Sequence, residues 1–359
     1  LQRERFSYVP LQVVAPALDD LLGMRRLFGL RSPVNTVARL LNPAAAAVCD
    51  EPDGPSSAQS ADFHVNYGVI GGGLTVDNYL NSLQTTYATL VASYGWAAPP
   101  LCQAGLGTCP LANPWGRYPV QIAPLGGGLY GYATVGSGLY TGWVGDNSST
   151  PAVETDAAAS CLVLNSDYTG FPGGPQLSLN VTAAHEFAHA LQFGLGDPDS
   201  SEDDVWYEAI ATYYEDEVYD SVNDNYQYLW PYTDICLGEY TKSPYAYWIF
   251  PRYVAERNGG TNLPGGGEDV IQTFWTNVAA GDGALKAFDR ALNARGTNLA
   301  DTFHDFAIAM RFGAACPAAA PYCFEEAAGY QDSAGPVFDH DSIDAIGGSH
   351  LDQLPNNFA

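Results

Sequence analysis

His185-Glu186-Phe187-Ala188-His189 is the stretch on which the rest of this chain turns. Residues four apart stack on one face of a helix, so the imidazoles of His185 and His189 can reach one metal ion. Glu186 lies between them, close enough to act on a water molecule beside it. This H-E-x-x-H spacing is that of zinc hydrolases. The flanking residues predict a helix over 181–193: Val181, Phe187 and Leu191 are apolar, no proline interrupts, and Asn180 or Thr182 can serve as N-cap. The competing reading is a chance match on an ordinary helix.

Two histidines leave a catalytic zinc one protein ligand short, since such sites have three and keep a position open. Glu208 fits the third place. It follows His189 by nineteen residues, inside Val205-Trp206-Tyr207-Glu208-Ala209-Ile210-Ala211-Thr212-Tyr213-Tyr214-Glu215, which predicts a second helix after an acidic loop. A third histidine in H-x-x-G-x-x-H is excluded, because Gln192, Gly194 and Asp197 follow His189 and the next histidine is His304. The alternative for Glu208 is an ordinary solvated helix glutamate.

Three stretches carry a resemblance: Val181–Phe193 around the motif, Trp206-Tyr207-Glu208-Ala209 running on to Glu215-Asp216-Glu217-Val218-Tyr219, and Tyr245-Ala246-Tyr247-Trp248-Ile249-Phe250-Pro251-Arg252-Tyr253 with Ala255-Glu256-Arg257. With Phe63-His64-Val65-Asn66-Tyr67 upstream, the chain resembles secreted bacterial metallopeptidases of the gluzincin type over about residues 60–312. The resemblance implies a zincin-like fold, one zinc held by His185, His189 and Glu208, and hydrolysis of a peptide or protein substrate with Glu186 as general base. One position departs from the pattern. Thermolysin-like gluzincins carry an aspartate four residues after the ligand glutamate to support a zinc-bound histidine, and here that position is Thr212. Glu215, seven residues after Glu208 and on the same helix face, is the expected substitute.

Composition sets the outer limits. With 359 residues, 47% of them hydrophobic, the chain can bury a large core as one domain or two lobes. The uncharged region at 118–144 is rich in glycine, tyrosine and proline rather than continuous aliphatics, so no membrane span is expected. A net charge of −26 disfavours nucleic acid and anionic lipid as partners. Residues 1–50 differ, with six arginines against Glu4, Asp19, Asp20 and Asp50, and read as an N-terminal extension or prosegment with two short helices in 14–42. The polar run 51–61 reads as a linker.

The periodicity then changes character along the chain. Residues 62–194 predict a sheet-bearing lobe: strands at 62–70, 117–123, 129–135 and 160–165, and a helix at 75–93. Residues 195–335 predict helices at 205–219, 243–257, 268–279, 283–294 and 299–312, and 336–359 a tail. The expected class is α+β, with the motif helix where the sheet-bearing half meets the helical half.

Seven cysteines speak to compartment. Cys102 with Cys109 and Cys316 with Cys323 each flank a short loop suited to a local disulfide, leaving Cys49, Cys161 and Cys236 unassigned. A secreted, oxidised protein is expected, against the alternative of buried reduced thiols. The opening Leu1–Phe6 has no apolar leader segment and reads as processed or trimmed. Asn147-Ser148-Ser149 and Asn180-Val181-Thr182 match the glycosylation sequon.

Secondary roles are less sharply specified. Tyr245 is the first candidate to donate a hydrogen bond to an oxyanion, with Tyr247 and Tyr240 behind it and His304 a more distant choice. Asp197, Asp199, Glu202, Asp203 and Asp204 form an acidic loop of the kind that holds calcium in secreted proteins, although a solvated loop is the plainer reading. Residues 336–346 are a weaker calcium candidate. The opposing function is a non-catalytic extracellular structural protein, a homo-oligomer or surface assembly, favoured by the tyrosine- and glycine-rich stretch 125–170.

Overall fold

The computed structural model describes residue 49 and residues 54–102, 115–135, 143–196, 204–229, 244–259, 267–312 and 322–334. Its class is α+β. Five strands form a mixed sheet in the order β1 (Ser56–Gln59), β2 (Phe63–Tyr67), β3 (Tyr118–Ala123), β7 (Cys161–Asn165), β4 (Gly131–Thr134), and β5 (Trp143–Gly145) pairs with β6 (Ala157–Ala158) in a small second sheet. The pairs β2–β3 and β3–β7 are parallel, while β1 and β4 run antiparallel to their neighbours. Every residue of β3 and β7 is buried, as expected for central parallel strands covered on both faces.

The outer strand β1 is Ser-Ser-Ala-Gln and largely exposed, a polar sequence suited to a sheet edge. Residues 51–61 read as a linker from their composition, yet Ser56–Gln59 are recruited as this strand by the hairpin to β2.

Two helices pack beside the sheet: α1 (Val76–Tyr87), which continues into a π-turn over Ala88–Ser93, and α2 (Pro175–Phe193). Helix α2 is buried around almost its whole circumference from Ser178 to Gln192, so it sits between sheet and helices rather than at the surface. Phe187 holds it in place. Its ring packs within 5.5–5.8 Å of those of Phe63, Tyr87 and Tyr118, joining the motif helix to β2, α1 and β3. Truncating such a buried aromatic typically costs about 3–5 kcal/mol.

The start of α2 corrects the sequence reading. Asn180 and Thr182 are not N-caps. The helix begins at Pro175 after Gly174, whose φ of 90° suits glycine, and the proline occupies the first helical position, where its missing N–H costs nothing. Thr182 Oγ1 instead donates back to the Ser178 carbonyl, and Asn180 Oδ1 accepts from Ser82 and Gln176. The other sequon asparagine is equally engaged: Asn147 is buried and its amide donates to the carbonyls of Ala98 and Gly194.

The helical half comprises α3 (Asp204–Val218), 3-10 turns at Asn223–Tyr228 and Pro244–Trp248, then α4 (Ile249–Arg257), α5 (Glu268–Ala279), α6 (Ala284–Asn293), α7 (Leu299–Phe312) and α8 (Ala327–Ala334). The helix expected over 243–257 is divided, since Pro244–Trp248 wind as a 3-10 turn before the α-helix begins at Ile249. One apolar cluster runs from the sheet through these helices, and Trp206, Trp248, Phe250, Phe274, Trp275 and Phe288 lie within it.

Buried Arg252 ties α4 to α3, with ion pairs to Asp216 at 3.0 Å, Glu217 at 2.6 Å and Glu256 at 2.8 Å. No described helix is long and apolar enough to cross a membrane.

Cys49 pairs with Cys161 of β7, the two Cα atoms 5.7 Å apart, so two of the three cysteines left unassigned by sequence bond to each other. Cys102 and Cys323 are also disulfide-bonded. Their expected partners Cys109 and Cys316, with Cys236, lie outside the described residues. So do the 1–48 extension, the acidic residues 197–203, Tyr240 and the 336–359 tail, and the side chain of Asp204.

Candidate metal centre

Helix α3 packs directly against α2, and that contact assembles the site. His185 and His189 occupy one face of α2 with ring centroids 4.8 Å apart, and Glu208 projects from the second turn of α3. Three atoms converge: His185 Nε2 lies 3.2 Å from His189 Nε2 and 3.1 Å from Glu208 Oε2, which is 3.7 Å from His189 Nε2. Among the described residues these three form a group that could hold a metal ion.

The outer ring nitrogens are committed elsewhere. His185 Nδ1 lies 2.5 Å from Glu215 Oε1, and His189 Nδ1 lies 2.8 Å from Gln192 Oε1. Each of those oxygens accepts from Nδ1–H, which leaves both Nε2 atoms facing the convergence point, where a proton or a metal ion can occupy them. Thr212 is fully buried, and its hydroxyl has no hydrogen-bond partner among the described residues. The carboxylate on His185 therefore comes from Glu215, two turns beyond Glu208, and not from the position of Thr212.

Electrostatics follow from this packing. Burial pushes His185 down, but its hydrogen bonds to Glu208 and Glu215 and the nearby charge of Glu186 outweigh burial and hold it up at about 10. Desolvation of Glu208 favours its neutral form, but the two imidazoles outweigh this and hold it well below the usual carboxylate range. A proton on His185 thus supplies the positive charge that three carboxylates face. A metal ion bound at Nε2 would replace that proton.

Glu186 is buried on the flank of α2 that β4 crosses. A Cβ built on Gly131 of β4 would stand 2.8 Å from Thr182 Cγ2 and 3.2 Å from Glu186 Cγ, so only glycine permits this approach. Tyr245 is buried, its ring 5.9 Å from that of His185. Tyr247 packs instead near Trp206, ring to ring 6.1 Å, and His304 is exposed on α7.

Gln192 and Gly131 are the site-forming residues that the sequence reading assigned no role. The only signal for Gln192 is its place three residues after His189, on the same helix face. Gly131 leaves no sequence signature, because its role depends on the crossing of strand and helix. No protein-family model matches the chain, and no curated protein matches it.

Proposed function

We propose that this chain is a secreted zinc-dependent endopeptidase that uses Glu186 as general base. The observation that carries the reading is the convergence of His185 Nε2, His189 Nε2 and Glu208 Oε2, with both outer ring nitrogens held by acceptors. The donor set of two imidazoles and one carboxylate fits zinc and matches the ligand set of catalytic zinc sites. When bound, the ion supplies Lewis acidity that acidifies water and polarises a carbonyl.

The remaining work belongs to the chain. Glu186, one residue along the helix from His185, takes the proton from the attacking water and returns it to the leaving amine. Tyr245, whose ring lies 5.9 Å from that of His185, is the residue we assign to donate to the oxygen on which negative charge develops. Strand β4 is the edge of the described sheet and passes over Glu186, so an extended peptide can pair with it and bring its backbone alongside the base. A crevice of about 600 Å³ at the start of β4, lined by Leu125, Tyr130, Asp167 and Phe171, offers room for a substrate side chain.

The resemblance to gluzincin-type metallopeptidases supports the same assignment and carries the zincin-like fold with it. Four disulfide-bonded cysteines, Cys49 paired with Cys161 and the bonded Cys102 and Cys323, support an oxidising compartment. The test is digestion of a diverse peptide library by the zinc-loaded chain, with products read by mass spectrometry. Cleavage that a chelator abolishes is expected. An intact library at full zinc occupancy would replace the peptidase reading by that of a non-catalytic extracellular structural protein.

A further inference from the structure

We propose that Gln192 is a positioning residue for the metal centre, fixing the tautomer of His189 and locking it to the turn that carries Glu208; the proposal rests on the metal-centre reading above. Gln192 is buried at the last turn of α2. Its Oε1 lies 2.8 Å from His189 Nδ1, and its Nε2 donates to the backbone carbonyl of Tyr207 at 3.2 Å. The opposite amide orientation sets two carbonyl oxygens against each other at Tyr207, so the hydrogen bonds themselves choose the orientation. With the amide oxygen facing the ring, Nδ1 carries the proton and Nε2 is left with the lone pair that binds a metal.

The same residue closes a second link. The Gln192 carbonyl accepts the N–H groups of Leu195 at 3.0 Å and Gly196 at 3.2 Å, and the Gly196 carbonyl accepts the Tyr207 hydroxyl at 3.0 Å. Tyr207 immediately precedes Glu208. Side chain and backbone of Gln192 therefore grip the residue next to one ligand while orienting another, and the two helices cannot shift without disturbing both. The amide also keeps the partner of His189 neutral, whereas His185 faces the carboxyl group of Glu215.

The test is zinc affinity by chelator competition on wild type, Gln192→Ala, Gln192→Met and Gln192→Glu, with ring ¹H–¹⁵N spectra of His189 recorded on the metal-free proteins. Gln192→Met fills the same volume without an acceptor, which separates the hydrogen bond from packing. Loss of a support of this kind weakens metal binding by roughly 10- to 100-fold. That loss is expected for Gln192→Ala and Gln192→Met; Gln192→Glu keeps an acceptor on Nδ1 but loses the donor to the Tyr207 carbonyl, so it should keep the His189 tautomer and bind more weakly than wild type yet more tightly than Gln192→Ala. The spectra should place the His189 proton on Nδ1 in wild type and show that preference lost in Gln192→Met. Wild-type affinity and an unchanged His189 tautomer in Gln192→Met overturn the proposal, as does Gln192→Glu binding as weakly as Gln192→Ala. A wild-type chain that binds no zinc, or binds it unchanged after His185→Ala, removes the metal centre itself, a result the tautomer spectra distinguish from failure at Gln192.

Discussion

Glu215 Oε1 lies 2.5 Å from His185 Nδ1, so the helix that carries the candidate ligand Glu208 also carries the group that orients the candidate ligand His185. The seven-residue spacing of Glu208 and Glu215 amounts to two turns, which sets both carboxyl groups toward α2. Glu215→Ala should therefore weaken zinc binding by roughly 10- to 100-fold while Glu208 remains in place. Chelator competition measures it, and Thr212→Ala serves as the comparison, since that hydroxyl makes no hydrogen bond among the described residues and its loss should leave zinc affinity near wild type. Equal effects from the two substitutions would remove Glu215 from this role.

Gly131→Ala should separate stability and turnover from metal binding. The added methyl meets Thr182 Cγ2 at 2.8 Å and the Val163 carbonyl at 3.0 Å, so β4 must lift from α2 or Glu186 must move. Overpacking of this kind costs about 1–3 kcal/mol. A lower melting temperature and reduced peptide cleavage at unchanged zinc content are expected; a variant as stable and active as wild type would show that β4 does not constrain Glu186.

Glu268 predicts a pH dependence of stability. It is fully buried at the start of α5, accepts from Trp96 Nε1 at 2.7 Å and from the hydroxyls of Tyr214 and Tyr213, and burial is the main cause that pushes it up to about 8. The folded protein then holds a proton that the unfolded chain releases near pH 4.5. This contribution is complete below about pH 4.5 and lost as pH rises toward about 8. Denaturant titrations of wild type and Glu268→Gln over that window should show wild type losing stability relative to the variant as pH increases. A constant difference would mean that Glu268 is ionised in the fold.

The Cys49–Cys161 bond closes a loop with a sequence separation of 112 residues. Loops of that length give a stabilisation of about 5 kcal/mol through the unfolded chain. The double substitution Cys49→Ala with Cys161→Ala should lower the denaturant midpoint accordingly, without changing zinc content, because neither cysteine belongs to the metal centre.

The parts of the site that obey helical period were legible before the fold was known. His185, Glu186 and His189 sit on one predicted helix, Glu208 and Glu215 on the next, and the two spacings bring them to neighbouring faces. What escaped depends on contacts between distant residues. Cysteine spacing does not dictate connectivity, so the pairing of Cys49 with Cys161 was hidden. The polar residues Asn180 and Thr182 look like caps by type, but the helix had already begun at Pro175. Strand β1 was concealed by a serine-rich composition that a sheet edge tolerates, and β6, two residues long, carries no alternation to read.

The central claim, that Glu186 acts as base beside a metal held by other residues, is tested most directly by peptide cleavage with Glu186→Gln at measured zinc stoichiometry. The substitution keeps side-chain size and leaves all three converging side chains in the chain, so one zinc per chain should remain while kcat falls about 10²- to 10⁴-fold. A Glu186→Gln protein that holds zinc and cleaves as fast as wild type would contradict the account.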